Sequence, residues 1–111
     1  MDIKDDDYKV IFTENAEIEL DNIYDYISKT LLSEDSAKGL MDKIEKSALR
    51  LEIFPELCSI AEGYIINGIQ YRKLIVDNYI LLYNVDEKNK KVNIIHAFYG
   101  RKNYLKDIGE N

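Results

Sequence analysis

The chain has one cysteine, one proline, one histidine and no tryptophan in 111 residues, and each scarcity removes a class of protein. With Cys58 alone, no internal disulfide can form, so packing must hold the fold, as suits a reducing compartment. One histidine, one cysteine and scattered carboxylates give no metal-ligand spacing, and Asp5-Asp6-Asp7 reads as a solvated tail. No apolar stretch reaches the length of a bilayer span, and the acidic start from Met1 to Asp7 is the reverse of the basic opening of a signal peptide. Neither a glycine-rich phosphate loop nor a nucleophile elbow occurs. We therefore expect a cytoplasmic protein without membrane contact, metal or small-molecule cofactor. Cys58, with no nucleophile motif around it, is expected to be a buried structural thiol.

What is present points to a globular domain. Hydrophobic residues make up 46% of the chain and charged residues 32%, enough apolar surface to offset the entropy of ordering. The length suits one domain over residues 1–111, with 1–7 a frayed acidic end. Nine tyrosines supply large rings with polar tips, useful in small two-layer domains and on surfaces that meet a partner. The net charge of −6 disfavours general nucleic-acid binding. Its distribution is uneven. Residues 1–70 hold seven basic against sixteen acidic side chains, whereas residues 71–111 hold eight against five, which leaves room for a positive patch near the carboxyl end.

Hydrophobic periodicity predicts the elements. Tyr8, Val10 and Phe12 alternate as in a strand. Thr13 is placed to cap a helix whose first turn carries Glu14 and Glu17, and Ala16, Leu20, Ile23, Tyr24, Ile27 and Leu31 form its apolar stripe. Ser33 offers a second cap before Ala37, Leu40, Met41, Ile44, Ala48 and Leu51, and Phe54-Pro55 closes that helix. The short link predicts an antiparallel helical hairpin. Beyond Gly63, residues 69–76, 79–85 and 91–98 read as a three-stranded antiparallel meander. A further short run, residues 64–66, faces the first of these across Asn67-Gly68, a dipeptide suited to a type I′ turn. Residues 101–108 carry Tyr104, Leu105 and Ile108 and suggest a short final helix. The expected fold is α+β in β-α-α-β-β-β order. The helical hairpin packs on one face of a small, mainly antiparallel sheet and leaves the other face open.

That order, with the residues that carry it, resembles the RelE/ParE superfamily of type II toxin–antitoxin toxins. The likeness runs through Thr13-Glu14-Asn15-Ala16, Leu20-x-x-Ile23-x-x-Tyr26-Ile27, Leu51-x-x-Phe54-Pro55, Tyr71-Arg72-Lys73-Leu74, Tyr79-x-Leu81-x-Tyr83 and Tyr99-Gly100-Arg101-Lys102. It covers residues 8–108 and leans toward the ParE-like members. The resemblance implies a toxin with a cognate antitoxin as partner, acting by binding a cellular target such as DNA gyrase. The alternatives are a RelE-like endoribonuclease that cuts messenger RNA on the ribosome, and a non-toxic member that serves only in complex formation.

The resemblance also nominates residues. Arg72 occupies the place of the family's strand arginine, whose guanidinium fork suits a phosphate, although pairing with an acidic neighbour serves it equally. Arg72, Lys73, Arg101 and Lys102 are the expected target-binding cations. A ribonuclease would recruit Arg72, Tyr99 and Arg101. Tyr99 stands where the family often has histidine, and its phenol is a weaker acid–base near neutral pH. By strand alternation His96 shares a face with Ile94 and Phe98, and reads as a packed histidine before a catalytic one. The acidity of the chain works against approach to ribosomal phosphate, which ranks a protein-binding toxin first.

Overall fold

The computed structural model describes residues 7–100. Strand β1 (Lys9–Phe12) leads into helix α1 (Glu14–Asp25), which continues as a single π turn (Tyr26–Thr30). Helix α2 (Glu34–Leu49) ends in a 3-10 turn (Arg50–Glu52), and four strands follow: β2 (Ile60–Ile66), β3 (Ile69–Val76), β4 (Tyr79–Asp86) and β5 (Lys91–Tyr99). They form one sheet in the order β1-β5-β4-β3-β2. Neighbours are antiparallel except β1, which runs parallel to β5 with Lys9 opposite Lys91 and Phe12 opposite Ile94. The predicted α+β arrangement is thus observed, with a fourth strand before the meander. The run at residues 64–66 is the end of a seven-residue strand that starts at Ile60.

Local chemistry explains most boundaries. Thr13 Oγ1 accepts the Ala16 amide at 3.2 Å, satisfying one free donor of the first turn of α1, and Glu14 and Glu17 lie where the helix dipole favours them. Ser33 behaves differently from expectation. Its hydroxyl donates to Ser36 Oγ at 2.7 Å and makes no cap bond to the backbone, because a neighbouring hydroxyl competes for it. The π turn closes through the Leu31 amide on the Tyr26 carbonyl at 3.1 Å, and Leu32 then takes a left-handed φ of 53°. Leu31 consequently leaves the apolar stripe and is exposed. At the β2–β3 turn both Asn67 (φ 53°) and Gly68 (φ 79°) are left-handed, as a type I′ turn requires.

One core lies between the helices and the sheet. Ala16 and Ile27 from the first helical segment meet Ala37, Leu40, Ile44 and Ala48 from α2, and these pack on Leu74, Val76, Leu81, Tyr83, Val92, Ile94 and Ala97. Full burial of a side chain such as Ile44 or Leu81 contributes about 1.5–3 kcal/mol. The opposite face is not bare, which corrects the expectation of an open platform. Ala61, Tyr64, Tyr71, Ile80 and Leu82 form a second buried cluster there, flanked by Ile95 and Phe98. Four consecutive buried residues in β4, Ile80 to Tyr83, are the signature of a strand covered on both sides.

Among the described residues no helix is long and apolar enough to cross a membrane. Cys58 is half-buried and unpaired.

Candidate functional site

Arg72 lies in β3 opposite Tyr83 of β4 and Ile60 of β2. It shares parity with Leu74 and Val76 of the helix-side core, so its side chain is on the helix side of the sheet. There its Nη1 donates to the Cys58 carbonyl at 2.7 Å, and Nη2 stands 4.0 Å from Glu56. The guanidinium is a strut for the 53–59 loop. The loop between Phe54 and β2 returns over β3 and claims the charge. Lys73, the next residue along the strand, takes the opposite side. Strand alternation therefore separates two of the expected target-binding cations. Arg101 and Lys102, like the predicted final helix, lie outside the described residues.

Beneath Arg72 the Tyr83 ring is fully buried. Its hydroxyl sits beside Cys58 yet meets no partner at hydrogen-bonding geometry. Burial pushes the phenol above its ordinary value, with Cys58 adding to the rise.

His96 is placed by a bulge that alternation did not foresee. Tyr83 pairs with Ile94 and Leu82 with His96, so Ile95 is the extra residue and everything after it changes face. His96 therefore shares the second face with Phe98 but not with Ile94. Its ring meets Tyr64 edge-on at 6.5 Å, and Tyr64 in turn meets Tyr71 at 5.4 Å. His96 Nδ1 is 3.2 Å from Glu19 Oε1. A carboxylate can only accept, so Nδ1 carries the proton and donates to it. Asn15 Nδ2 approaches the same nitrogen at 3.1 Å but gives a hydrogen to the Ile95 carbonyl at 2.9 Å.

Those contacts mark a structural device that the sequence reading missed. β1 stops at Phe12, while β5 runs on to Tyr99. The bare edge of β5 is taken up residue by residue. The Thr13 amide donates to the Ile94 carbonyl at 3.0 Å, Asn15 to that of Ile95, and Glu19 Oε1 accepts the Ala97 amide at 2.9 Å. The available signal was the i, i+4 spacing of Asn15 and Glu19 beside the apolar stripe.

Tyr99, which a ribonuclease would also recruit, is elsewhere. It pairs with Tyr79 at the far end of β4 from Tyr83, a separation of roughly 13 Å along the strand. Its ring packs against Tyr79 at 5.4 Å. Both rings line a groove of about 600 Å³ together with Asn22, Ile23, Tyr26 and Leu31. Among the described residues its lining carries no charged side chain, and Tyr26, Leu31 and Tyr99 are half-exposed. Desolvation raises the Tyr79 phenol above its ordinary value, with Tyr99 and Tyr26 contributing, so the Tyr79 hydroxyl stays a neutral donor at physiological pH. Such a surface suits apolar and hydrogen-bonding groups of a protein. The structure thus brings together Tyr99, Tyr79 and Tyr26, and does not gather Arg72, His96 and Tyr99 into one pocket. Among the described residues no cluster of histidine, cysteine and carboxylates could hold a metal ion.

Comparison with known proteins agrees with the architecture. Residues 10–104 match the family described as ParE toxin of type II toxin-antitoxin system, parDE. A solved chromosomal ParDE system from P. aeruginosa superposes with a TM-score of 0.68 at 18% identity, over 85% of this chain and 97% of that one. The RelBE2 toxin–antitoxin complex from Mycobacterium tuberculosis gives 0.57 at 18% identity, over 84% and 98%. Among curated proteins no relative matches.

Proposed function

The chain belongs to the ParE toxin family of type II toxin–antitoxin systems, and from that premise we propose that it arrests growth by binding a protein target, DNA gyrase being the first to test. A cognate antitoxin is its neutralising partner, a reading supported by both structural relatives being toxin–antitoxin assemblies. The observation that carries this reading is the uncharged aromatic groove of Tyr26, Tyr79 and Tyr99. Exposed aromatic side chains at a concave site are the usual anchors of protein–protein contact.

The ribonuclease alternative needs a base, an acid and a cation around one phosphate. Here Arg72 is bound to a carbonyl, His96 donates to Glu19, and Tyr99 is on another part of the sheet. The net charge of −6 adds repulsion from ribosomal RNA.

Two assays with purified protein separate these readings. Gyrase should fail to supercoil relaxed plasmid in the presence of the toxin, and Tyr26→Ala/Tyr99→Ala should restore supercoiling. Ribosome-dependent cleavage of a transcript in cell-free translation, with gyrase unaffected, would reverse the ordering. Induced expression that leaves growth unchanged would favour a member that acts only in complex formation.

A further inference from the structure

Tyr83 carries the one buried side-chain polar atom without a hydrogen-bond partner among the described residues. A phenol hydroxyl closed off from water costs stability unless something accepts its proton. The ring is fully buried in the core between the helices and the sheet. Its hydroxyl lies against the thiol of Cys58, in the loop that returns over β3. Sulfur is a weak acceptor, so this neighbour leaves the donor unsatisfied.

The thiol is half-buried and unpaired, which leaves it open to a reagent little larger than water. Arg72 donates to the carbonyl of the same residue at 2.7 Å, and its positive charge acts on Tyr83 as well. Cysteine oxidation concentrates at partly exposed thiols in electropositive surroundings. The idle phenol distinguishes Cys58 from a thiol that merely packs. One oxygen added to its sulfur would be the acceptor that Tyr83 lacks.

We propose that Cys58 is a site of oxidation by hydrogen peroxide, and that Tyr83 holds the resulting sulfenic acid through a hydrogen bond to the new oxygen. In this step a bond forms between the Cys58 sulfur and one peroxide oxygen as the O–O bond breaks. The other oxygen takes the thiol proton and leaves as water, so sulfur gives up an electron pair and the peroxide receives it. With one cysteine in the chain, no internal disulfide can follow. The sulfenic acid therefore persists until a second peroxide or a small thiol from solution consumes it. The modified residue is also the one to which Arg72 ties the 53–59 loop. None of this depends on which target the protein binds, and the test needs no toxicity.

The experiment treats the reduced full chain with hydrogen peroxide and adds dimedone after set delays to trap sulfenic acid. Peptide mass spectrometry locates and quantifies the adduct. Labelled Cys58 should appear in the folded protein, and its trappable form should outlast that of the same chain in urea. Tyr83→Phe should speed the decay about fivefold in the folded state, the factor that one neutral hydrogen bond sets. The control Tyr71→Phe removes a hydroxyl on the opposite face of the sheet and should change the decay by less than about twofold. Circular dichroism checks the fold of both variants. A Cys58 that stays unlabelled when folded yet reacts in urea would be a packed thiol only, and the proposal would fall. Decay in Tyr83→Phe equal to that of the parent, or equal acceleration by Tyr71→Phe, would overturn it as well. Should Tyr83→Phe not fold, the parent alone decides, since equal decay in buffer and in urea leaves no holding role for the phenol.

Discussion

Glu19 accepts the backbone amide of Ala97 at 2.9 Å, so a helix side chain completes the hydrogen bonding of a strand whose parallel neighbour has ended. An unpaired strand edge invites pairing with other chains, and natural sheets cover or blunt such edges. Here α1 performs that task with Asn15 and Glu19, and His96 is held as part of the same lock. The histidine thereby orients the carboxylate that seals the edge.

The first prediction concerns that lock. Glu19→Ala leaves the Ala97 amide and the His96 Nδ1 donor without their acceptor. A lost bond to a charged group costs about 1.5–3 kcal/mol, and partial exposure of the site places the effect near the lower end. Glu19→Gln keeps an acceptor oxygen and should cost less. Urea denaturation measures both, and hydrogen exchange should show the Ala97 amide losing protection in the alanine variant first.

Arg72 gives the second. Because Nη1 donates to the Cys58 carbonyl at 2.7 Å, Arg72→Ala should release the 53–59 loop and destabilise the fold by about 1–2 kcal/mol. Glu56 at 4.0 Å is too distant and exposed to add much. Any fall in toxicity of this variant should then track its lower midpoint in denaturant and vanish when folded protein is compared at equal concentration. A full loss of activity at unchanged stability would return Arg72 to a direct role at the target.

Tyr83 gives the third, and its sign follows from linkage. The folded phenol is raised above the ordinary value of 10.0, so in alkali the unfolded chain gives up its proton first. Stability is therefore complete below about pH 10 and falls as pH rises above it, toward the folded value. Tyr83→Phe removes this contribution and also the hydroxyl that finds no partner. The variant should be as stable as the parent or more stable by up to about 1 kcal/mol at neutral pH, and its alkaline unfolding should begin at higher pH. Denaturant midpoints between pH 7 and 11 provide the check.

These sites show how far the chain could be read without coordinates. The apolar stripes of α1 and α2 were legible because helical periodicity integrates over many residues, and Ala37, Leu40, Ile44, Ala48 and Leu51 are all buried. Asn67-Gly68 was legible because few dipeptides accept two left-handed residues. The side on which His96 stands was not, since one extra residue at Ile95 reverses every later side chain and Ile94-Ile95-His96 contains nothing that marks a bulge. The start of β2 was hidden for a related reason. Gly63, with φ of 78°, interrupts the alternation between Ile60 and Ile65, where the pairing also shifts register. Arg72 was recognised as important, but the loop that occupies it is brought near only by tertiary folding.

Gly100 supplies the fourth prediction. It closes the β5 end by donating its amide to the Asn78 carbonyl at 2.8 Å, directly beside Ile80. A methyl group added there would press into Cγ1 and Cδ1 of Ile80, a buried side chain of the second cluster. Gly100→Ala should cost about 1–3 kcal/mol through overpacking, and Gly100→Ala/Ile80→Val should recover part of it by vacating the Cδ1 position. Thermal denaturation of the pair tests this coupling. Additive losses would mean that the clash is relieved by the backbone instead.

The last prediction addresses the aromatic groove. Tyr26 and Tyr99 are half-exposed and bear little of the core, so Tyr26→Ala/Tyr99→Ala should leave the free energy of unfolding within about 0.5 kcal/mol of the parent. If the groove anchors a protein target, truncating two aromatic anchors should reduce binding by about tenfold to a hundredfold. Replacing both with phenylalanine separates the ring from its hydroxyl. Retained binding in the double phenylalanine variant would assign the anchor to apolar contact, and its loss would assign it to the two hydroxyls. Gyrase inhibition and growth arrest should follow the same order across parent, phenylalanine and alanine variants, and an order that differs between the two readouts would place the toxic contact on another surface.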